Sequence, residues 1–71
     1  MYRVLVVIEK AKKNYSAYCP DLPGCVATGK TRAKAEENIH KAIQMHIQGL
    51  EEDGLRIPEP HASAEFIAVH P

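Results

Sequence analysis

The sequence has little of what a large core, a membrane span or a disulfide framework requires. Among its 71 residues there is no tryptophan, one phenylalanine and two cysteines. A chain of this size buries about 60% of its unfolded surface, so help from a metal, a disulfide or a second chain is expected. No apolar run approaches the ~20 residues of a membrane span, and the apolar start is too short for a signal peptide. We expect one domain over residues 1–71 and a cytoplasmic location.

The chain also lacks an excess of charge of either sign. Nine basic and nine acidic residues give a formal net charge of zero. Long-range attraction to the phosphates of a nucleic acid is therefore not expected of the chain as a whole. Lys10, Lys12 and Lys13 form a local basic group, which we interpret as a solvated hairpin loop. A local nucleic-acid contact is the alternative interpretation.

Groups suited to catalysis are few and scattered. Ser16 has no base placed beside it, and Cys25 has no activating histidine or helix N-terminus. His40 and His46 are six residues apart, which places them on different sides of a helix and not on one face, as a pair of metal ligands at i and i+4 would need. The carboxylates do not gather at one spot, as two-metal phosphodiester cleavage requires. We expect no enzyme, no metal and no cofactor, and keep a small nuclease as a third hypothesis.

The apolar pattern predicts the element order β-β-β-α-β. Residues 2–9 are predicted to form a strand with apolar side chains on both faces, and residues 15–19 and 25–28 two shorter strands. Residues 64–70 are predicted as a final strand, again apolar on both faces. We therefore predict an α+β fold with a small mixed sheet and one helix packed on one face.

The helix is predicted over residues 32–53. Thr31 is a good N-cap, and Gly54 stands where a left-handed C-terminal cap is preferred. Apolar residues recur at steps of three and four and form one stripe. The stripe consists of Ala35, Ile39, Ala42, Ile43, His46, Ile47 and Leu50.

One helix covers one face of such a sheet and leaves the other face open. The open face carries Leu5 and Val7, or their alternates, and an apolar pair from the last strand. Exposed apolar area on a small domain is typical of a protein interface, often with a second copy of the chain. We predict a homodimer or higher homo-oligomer with Leu5 and Val7 among the partner-binding residues.

The most distinctive part of the chain is the corner Pro20–Gly24. Its two prolines fix φ, its glycine allows a positive φ, and Asp21 can hydrogen-bond the turn backbone. The corner is predicted to be a rigid turn between two strands. It is also a candidate contact surface, in which Asp21 supplies a charge and Leu22 an apolar anchor for a partner.

Cys19 and Cys25 flank this corner and are able to face each other across it. A disulfide between them is geometrically conceivable. In a cytosolic protein we expect both thiols to stay reduced and to pack as small hydrophobic side chains.

Four stretches together resemble the HicB family of antitoxins, and the resemblance covers roughly residues 2–70. The combination is specific, whereas each stretch alone is a weak signal. The stretches are YSAY at 15–18, PDLPGC at 20–25, TG at 28–29 and GLRIPEP at 54–60.

The resemblance implies a partial ribonuclease H-like fold whose last strand lies parallel beside the first. It also implies a non-catalytic antitoxin that binds and inhibits a HicA-type toxin, a small domain that cleaves messenger RNA. Many family members carry an additional C-terminal DNA-binding domain; the sequence here runs to Pro71, and we expect no direct DNA binding. The alternative function is a stand-alone oligomeric scaffold or ligand-binding domain without a toxin partner.

Overall fold

The computed structural model describes residues 2–71, in which three antiparallel strands form one sheet and a long helix packs on one face. The strand order is β1-β2-β3, so consecutive strands are neighbours. The α+β class and the order of the first four elements are confirmed. The elements are β1 at Val7–Lys10, β2 at Tyr15–Tyr18, β3 at Val26–Gly29 and α1 at Arg32–Glu52.

The register of the sheet decides which side chains meet the helix. Ile8 pairs with Ala17, and Ala17 pairs with Ala27. Residues directly opposite one another project from the same face, so these three form one row on the helix side. Ala17 is 1% exposed and belongs to one cluster with Ile39 of α1. The buried core residues are Ala17, Cys19, Leu22, Cys25, Ala35 and Ile39.

Both helix ends follow the predicted capping. The Thr31 hydroxyl accepts the backbone N–H of Lys34 at 3.0 Å, which pairs one of the free donors of the first turn. Gly54 adopts φ +67°, and the N–H of the next residue, Leu55, donates to the carbonyl of Leu50 at 2.8 Å. This is the hydrogen bond of a Schellman cap. The helix ends at Glu52, one residue before the predicted limit.

The corner between β2 and β3 is a rigid double turn, as predicted. The N–H of Leu22 donates to the carbonyl of Cys19 at 3.1 Å, and the N–H of Cys25 donates to the carbonyl of Leu22 at 3.0 Å. Gly24 has φ +82°, the conformation that a type II turn with a preceding proline requires. The two turns fold the corner back on itself and close it without any cis peptide bond among the described residues.

The first strand is shorter than predicted. Residues 2–9 were expected to be one strand, but the ladder covers Val7–Lys10. Val7 is opposite Tyr18, and β2 ends there because the chain turns away at Pro20. The N-terminal segment (residues 2–6) therefore runs past the last β2 residue that could pair with it. The second strand ends one residue before its predicted limit, and the third begins and ends one residue later than predicted.

The predicted final strand is wrong within a single chain. Residues 55–71 form no helix or strand, and Phe66, Ile67 and Val69 are 108%, 78% and 81% exposed. The sheet is consequently purely antiparallel, without the parallel crossover. Alternating apolar side chains make a segment suitable for a sheet, but a strand also needs a neighbouring backbone with which to form hydrogen bonds. This segment runs away from the sheet of its own chain and has no such neighbour among the described residues.

The departing segment makes the molecule elongated. The radius of gyration is 14.0 Å, against about 11 Å expected for a compact chain of this length. We call residues 63–71 the C-terminal arm. In the part of the chain from residue 2 onwards, no helix has the length and apolar character to cross a bilayer.

Candidate protein-interaction surfaces

An open apolar groove lies between the N-terminal side of the sheet and α1. Its volume is about 730 Å³. Its apolar lining consists of Val4, Val6 and Ile8 from the strand side and Ile39, Ile43 and Ile47 from the helix. Except for Ile39, these side chains are only half-buried, so the helix does not close over them. We call this the β1–α1 groove; an apolar groove of this kind on a small domain is typical of a site for another chain.

A second apolar surface covers the side of the sheet away from the helix. Val7 pairs with Tyr18 and Tyr18 with Val26, so the three share this face. Leu5 joins them by alternation along the chain, since Val4 and Val6 pack against the core. We call this surface the open face, made of Leu5, Val7, Tyr18 and Val26.

Exposure on the open face is highest away from β1. Tyr18 is 39% exposed and Val26 is 65% exposed, whereas Leu5 and Val7 are half-buried. The sequence pattern selected Leu5 and Val7 and missed the other two. The alternation within β2 and β3 contained the signal, but only the register shows that the three strands align these residues in one row.

The structure separates the two candidate contact residues of the corner. Leu22 is 2% exposed and lies in the core, so it has no surface to offer a partner and we assign it a packing role. The Asp21 carboxylate accepts the backbone N–H of Ala62 at 3.1 Å and 3.4 Å. We had expected Asp21 to hydrogen-bond the backbone of its own turn. It binds a distant segment of the chain instead. It holds the segment that follows α1 against the corner.

Cys19 and Cys25 meet across the base of the corner, as their positions predicted. Both are free thiols, each 4% exposed, with their sulfur atoms 3.7 Å apart. Burial raises the pKa of the Cys19 thiol to about 12, and the hydrogen bond and charge of Cys25 and the nearby Asp21 charge act in the same direction. A thiol held protonated and out of solvent is a poor nucleophile and packs as an apolar side chain.

The polar groups that the sequence singled out for chemistry are dispersed. Ser16 lies in β2, His40 borders the β1–α1 groove, and Cys25 is in the core. Within residues 2–71 no three His, Cys, Asp or Glu side chains are grouped in a way that could hold a metal ion. The features that the fold does assemble are apolar surfaces, and these are suited to contact with other chains.

Within residues 2–71 the sheet and the helix define a small α+β domain with two apolar surfaces. Residues 2–70 match the family described as the HicB_like antitoxin of bacterial toxin–antitoxin systems. The chain belongs to this family, as the resemblance of its four sequence stretches had indicated.

Several relatives are similar over most of the chain. An uncharacterized 14.9 kDa protein from the rep-hol intergenic region of Haemophilus phage HP1 is 36% identical over 62 residues, covering 87% of this chain and 47% of that protein. The chain thus spans less than half the length of the phage relative. A UPF0150 protein of Helicobacter pylori is 45% identical over 49 residues, 69% of this chain and 68% of the relative. A UPF0150 protein of Thermoplasma acidophilum is 39% identical over 66 residues, 92% of this chain and 93% of the relative.

A solved structure shares the fold. It is a chain of the HicA3 and HicB3 toxin–antitoxin complex, with a TM-score of 0.63 and 29% sequence identity. The match covers 83% of this chain and 72% of that chain. Together with family membership, this likeness supports an antitoxin role.

Proposed function

We propose that this chain is a non-catalytic antitoxin-like module that binds and inhibits a mRNA-cleaving toxin of the HicA type. The observation that carries the proposal is the likeness, over 83% of the chain, to a structure of a HicA3 and HicB3 toxin–antitoxin complex. Inhibition of this kind needs a surface that covers the toxin and needs no catalytic group on the antitoxin. We further propose that residues 1–71 act as one HicB-like domain.

The open face is the surface that we propose for the toxin. It is largely apolar and carries an exposed tyrosine, a residue type enriched among the side chains that dominate binding energy. By the alternation that places Leu5 and Val7 on this side, it is bordered by Arg3 at one end and Glu9 at the other. The apolar centre of the surface is therefore the part that we propose to contact the toxin, and the charges at its border would fix the orientation. Leu5, Val7 and Asp21 stay in the proposed binding set, with Tyr18 and Val26 added from the register.

The test is an affinity pull-down of the tagged full chain from its native cells, read by mass spectrometry. We expect a small basic protein in a near-equimolar amount. That protein, purified with and without this chain, should cleave RNA only when the chain is absent. Failure of the chain to suppress the cleavage would contradict the proposal.

The second candidate is a stand-alone oligomeric scaffold or ligand-binding domain. The β1–α1 groove and the exposed apolar arm favour this candidate, because both could be buried by assembly of the chain with itself, without a toxin. It predicts that the pull-down recovers only further copies of this chain.

A further inference from the structure

We propose that two copies of this chain exchange their C-terminal arms. In this arrangement residues 64–70 of one copy lie as a strand along the N-terminal segment of the other and fill the β1–α1 groove there. The proposal concerns self-assembly and stands whether or not a toxin is the further partner.

The arm has the composition of a buried strand, but its large apolar side chains are exposed. Phe66, Ile67 and Val69 alternate across two faces, and each is at least 78% exposed. No other segment of residues 2–71 exposes three large apolar side chains so close together in sequence. Apolar residues on both faces are typical of a strand that is covered from both sides. An arm of this kind is stable in water only when another surface covers it.

A free strand edge exists in the same chain. Among the described residues β1 is one of the two edge strands of the sheet, and it pairs with β2 on one side. Among the described residues, no backbone-to-backbone hydrogen bond joins residues 2–6 or residues 56–71 to any other part of the chain. Apart from the Ala62 N–H, which donates to Asp21, the backbone donors and acceptors of these two segments have no hydrogen-bond partner among residues 2–71, and one row is able to satisfy the other.

The space beside the N-terminal segment is long enough for the arm. Seven extended residues span about 23 Å, and α1 with its 21 residues is about 32 Å long, so the helix is longer than such a strand. A strand laid beside the N-terminal segment would point one set of side chains toward Ile43 and Ile47 of the groove. Its other set would continue the row of Leu5 on the open face. One apolar face of the arm would thus be buried in the groove, and the other would extend the apolar open face.

Exchange between copies is favoured by the way the chain approaches its own edge. The hydrogen bond from Ala62 to Asp21 fixes the chain beside the corner, and Pro58 and Pro60 stiffen the stretch that leads there. Residues 60–64 already lie beside Arg3, Val4 and Leu5 of the same chain. The arm then leaves the sheet instead of following it, and the molecule reaches 49 Å in its longest dimension. A short, stiff hinge is a common origin of element exchange between identical chains.

The first test is the mass of the full chain in solution by light scattering over a range of concentrations. We expect a species of about twice the 7.9 kDa of one chain. The double variant Phe66→Asp/Ile67→Asp should weaken the dimer by about 100-fold, since it places two carboxylates against apolar lining. Because both side chains are exposed in the single chain, the variant should keep its helical circular dichroism signal. Leu55→Asp, at an apolar residue 58% exposed outside the arm, is the matched control and should stay dimeric.

The second test separates exchange from other dimers and from closure within one chain. Chains with Arg3→Cys are co-expressed with differently tagged chains that carry Ala68→Cys and are treated with a short bifunctional maleimide. The native thiols are buried and should react slowly, so the wild type is the background control. We expect cross-links between the two kinds of chain, and none when Met45→Cys, an exposed helix position, replaces Ala68→Cys. A chain that carries both Arg3→Cys and Ala68→Cys tests closure within one chain. A monomer at all concentrations, a dimer indifferent to the arm variant, or cross-links that form only within this doubly substituted chain would overturn the proposal.

Discussion

The carboxylate of Asp21 accepts the backbone N–H of Ala62 at 3.1 Å, which joins the corner to a segment 41 residues later in the chain. Among the hydrogen bonds of residues 2–71, it spans the largest sequence separation. It therefore determines where the chain after α1 lies, and with it the point from which the C-terminal arm departs.

Asp21→Ala should release this segment. A hydrogen bond to a carboxylate in a half-buried position contributes about 1.5 kcal/mol, so we expect the free energy of unfolding to fall by roughly that amount. Amide hydrogen exchange at Ala62 should accelerate, because its N–H loses its acceptor. Asp21→Asn keeps a carbonyl acceptor and should lose less. Unchanged exchange at Ala62 in Asp21→Ala would show that the contact does not form in solution.

Gly29 and Gly49 make a matched pair for alanine substitution. A Cβ on Gly29 would overlap the backbone N of Ala35 and lie 2.7 Å from the carbonyl carbon of Lys34, whereas a Cβ on Gly49 meets no atom within 4 Å. Gly29→Ala should therefore force β3 away from α1 and cost about 1–3 kcal/mol. Gly49→Ala, within the helix, should stabilise the protein by up to about 1 kcal/mol. Thermal or denaturant unfolding measures both, and a Gly29→Ala variant as stable as the wild type would contradict the packing of β3 against the helix start.

The Cys19 thiol should make stability depend on alkaline pH. In the unfolded chain a thiol ionises near its ordinary pKa of 9.0, whereas in the folded chain burial holds the pKa at about 12. The unfolded state therefore loses its proton first, so the contribution is fully present below pH 9 and is lost as pH rises from 9 toward 12. The slope is about 1.4 kcal/mol per pH unit in that window.

Denaturant unfolding of the wild type and of Cys19→Ala between pH 7 and about pH 10.5 measures this contribution. Lysines and tyrosines titrate in both proteins, so only the difference between the two curves reports the thiol. We expect the stability advantage of the wild type to shrink above pH 9. Two parallel curves would mean that Cys19 is not protected from ionisation by the fold.

Substitutions on the open face should separate binding from folding. Val26 is 65% exposed, so Val26→Asp should leave the melting temperature nearly unchanged and weaken capture of the proposed toxin by about 10-fold or more. Met45→Asp, at an even more exposed apolar residue on the helix, is the control and should bind normally. Leu5→Asp and Val7→Asp, at half-buried positions, should also disturb folding or assembly. Normal capture by Val26→Asp would remove the open face from the proposed interface.

Local sequence signals were reliable where the interaction partners are close in the chain. Thr31 caps the start of the helix through the N–H of Lys34, three positions away. Gly54 caps its end by donating its N–H to the carbonyl of Glu51 in the last turn. The corner likewise closes through turns of four residues, at the positions that its prolines and Gly24 indicate. These signals act over short distances, so the sequence contains all of their parts.

Signals that require a distant partner were incomplete. Leu22 stands in a turn, where the sequence pattern predicted an exposed anchor, but the double turn folds it into the core. Tyr18 and Val26 were not selected because their common face depends on the register between strands. Strand length failed for the same reason, since residues 2–6 lose their partner when β2 turns at Pro20.

The sequence by itself determined the α+β class, the order of the first four elements, the caps, the corner and membership of the HicB-like antitoxin family. The tertiary structure alone decided the partner of Asp21, the burial of Leu22, the rows of the sheet and the course of residues 64–70. The physical reason lies in the range of the interactions. Capping and turn formation involve residues a few positions apart, whereas burial and strand pairing depend on which distant backbone or second chain comes to lie alongside.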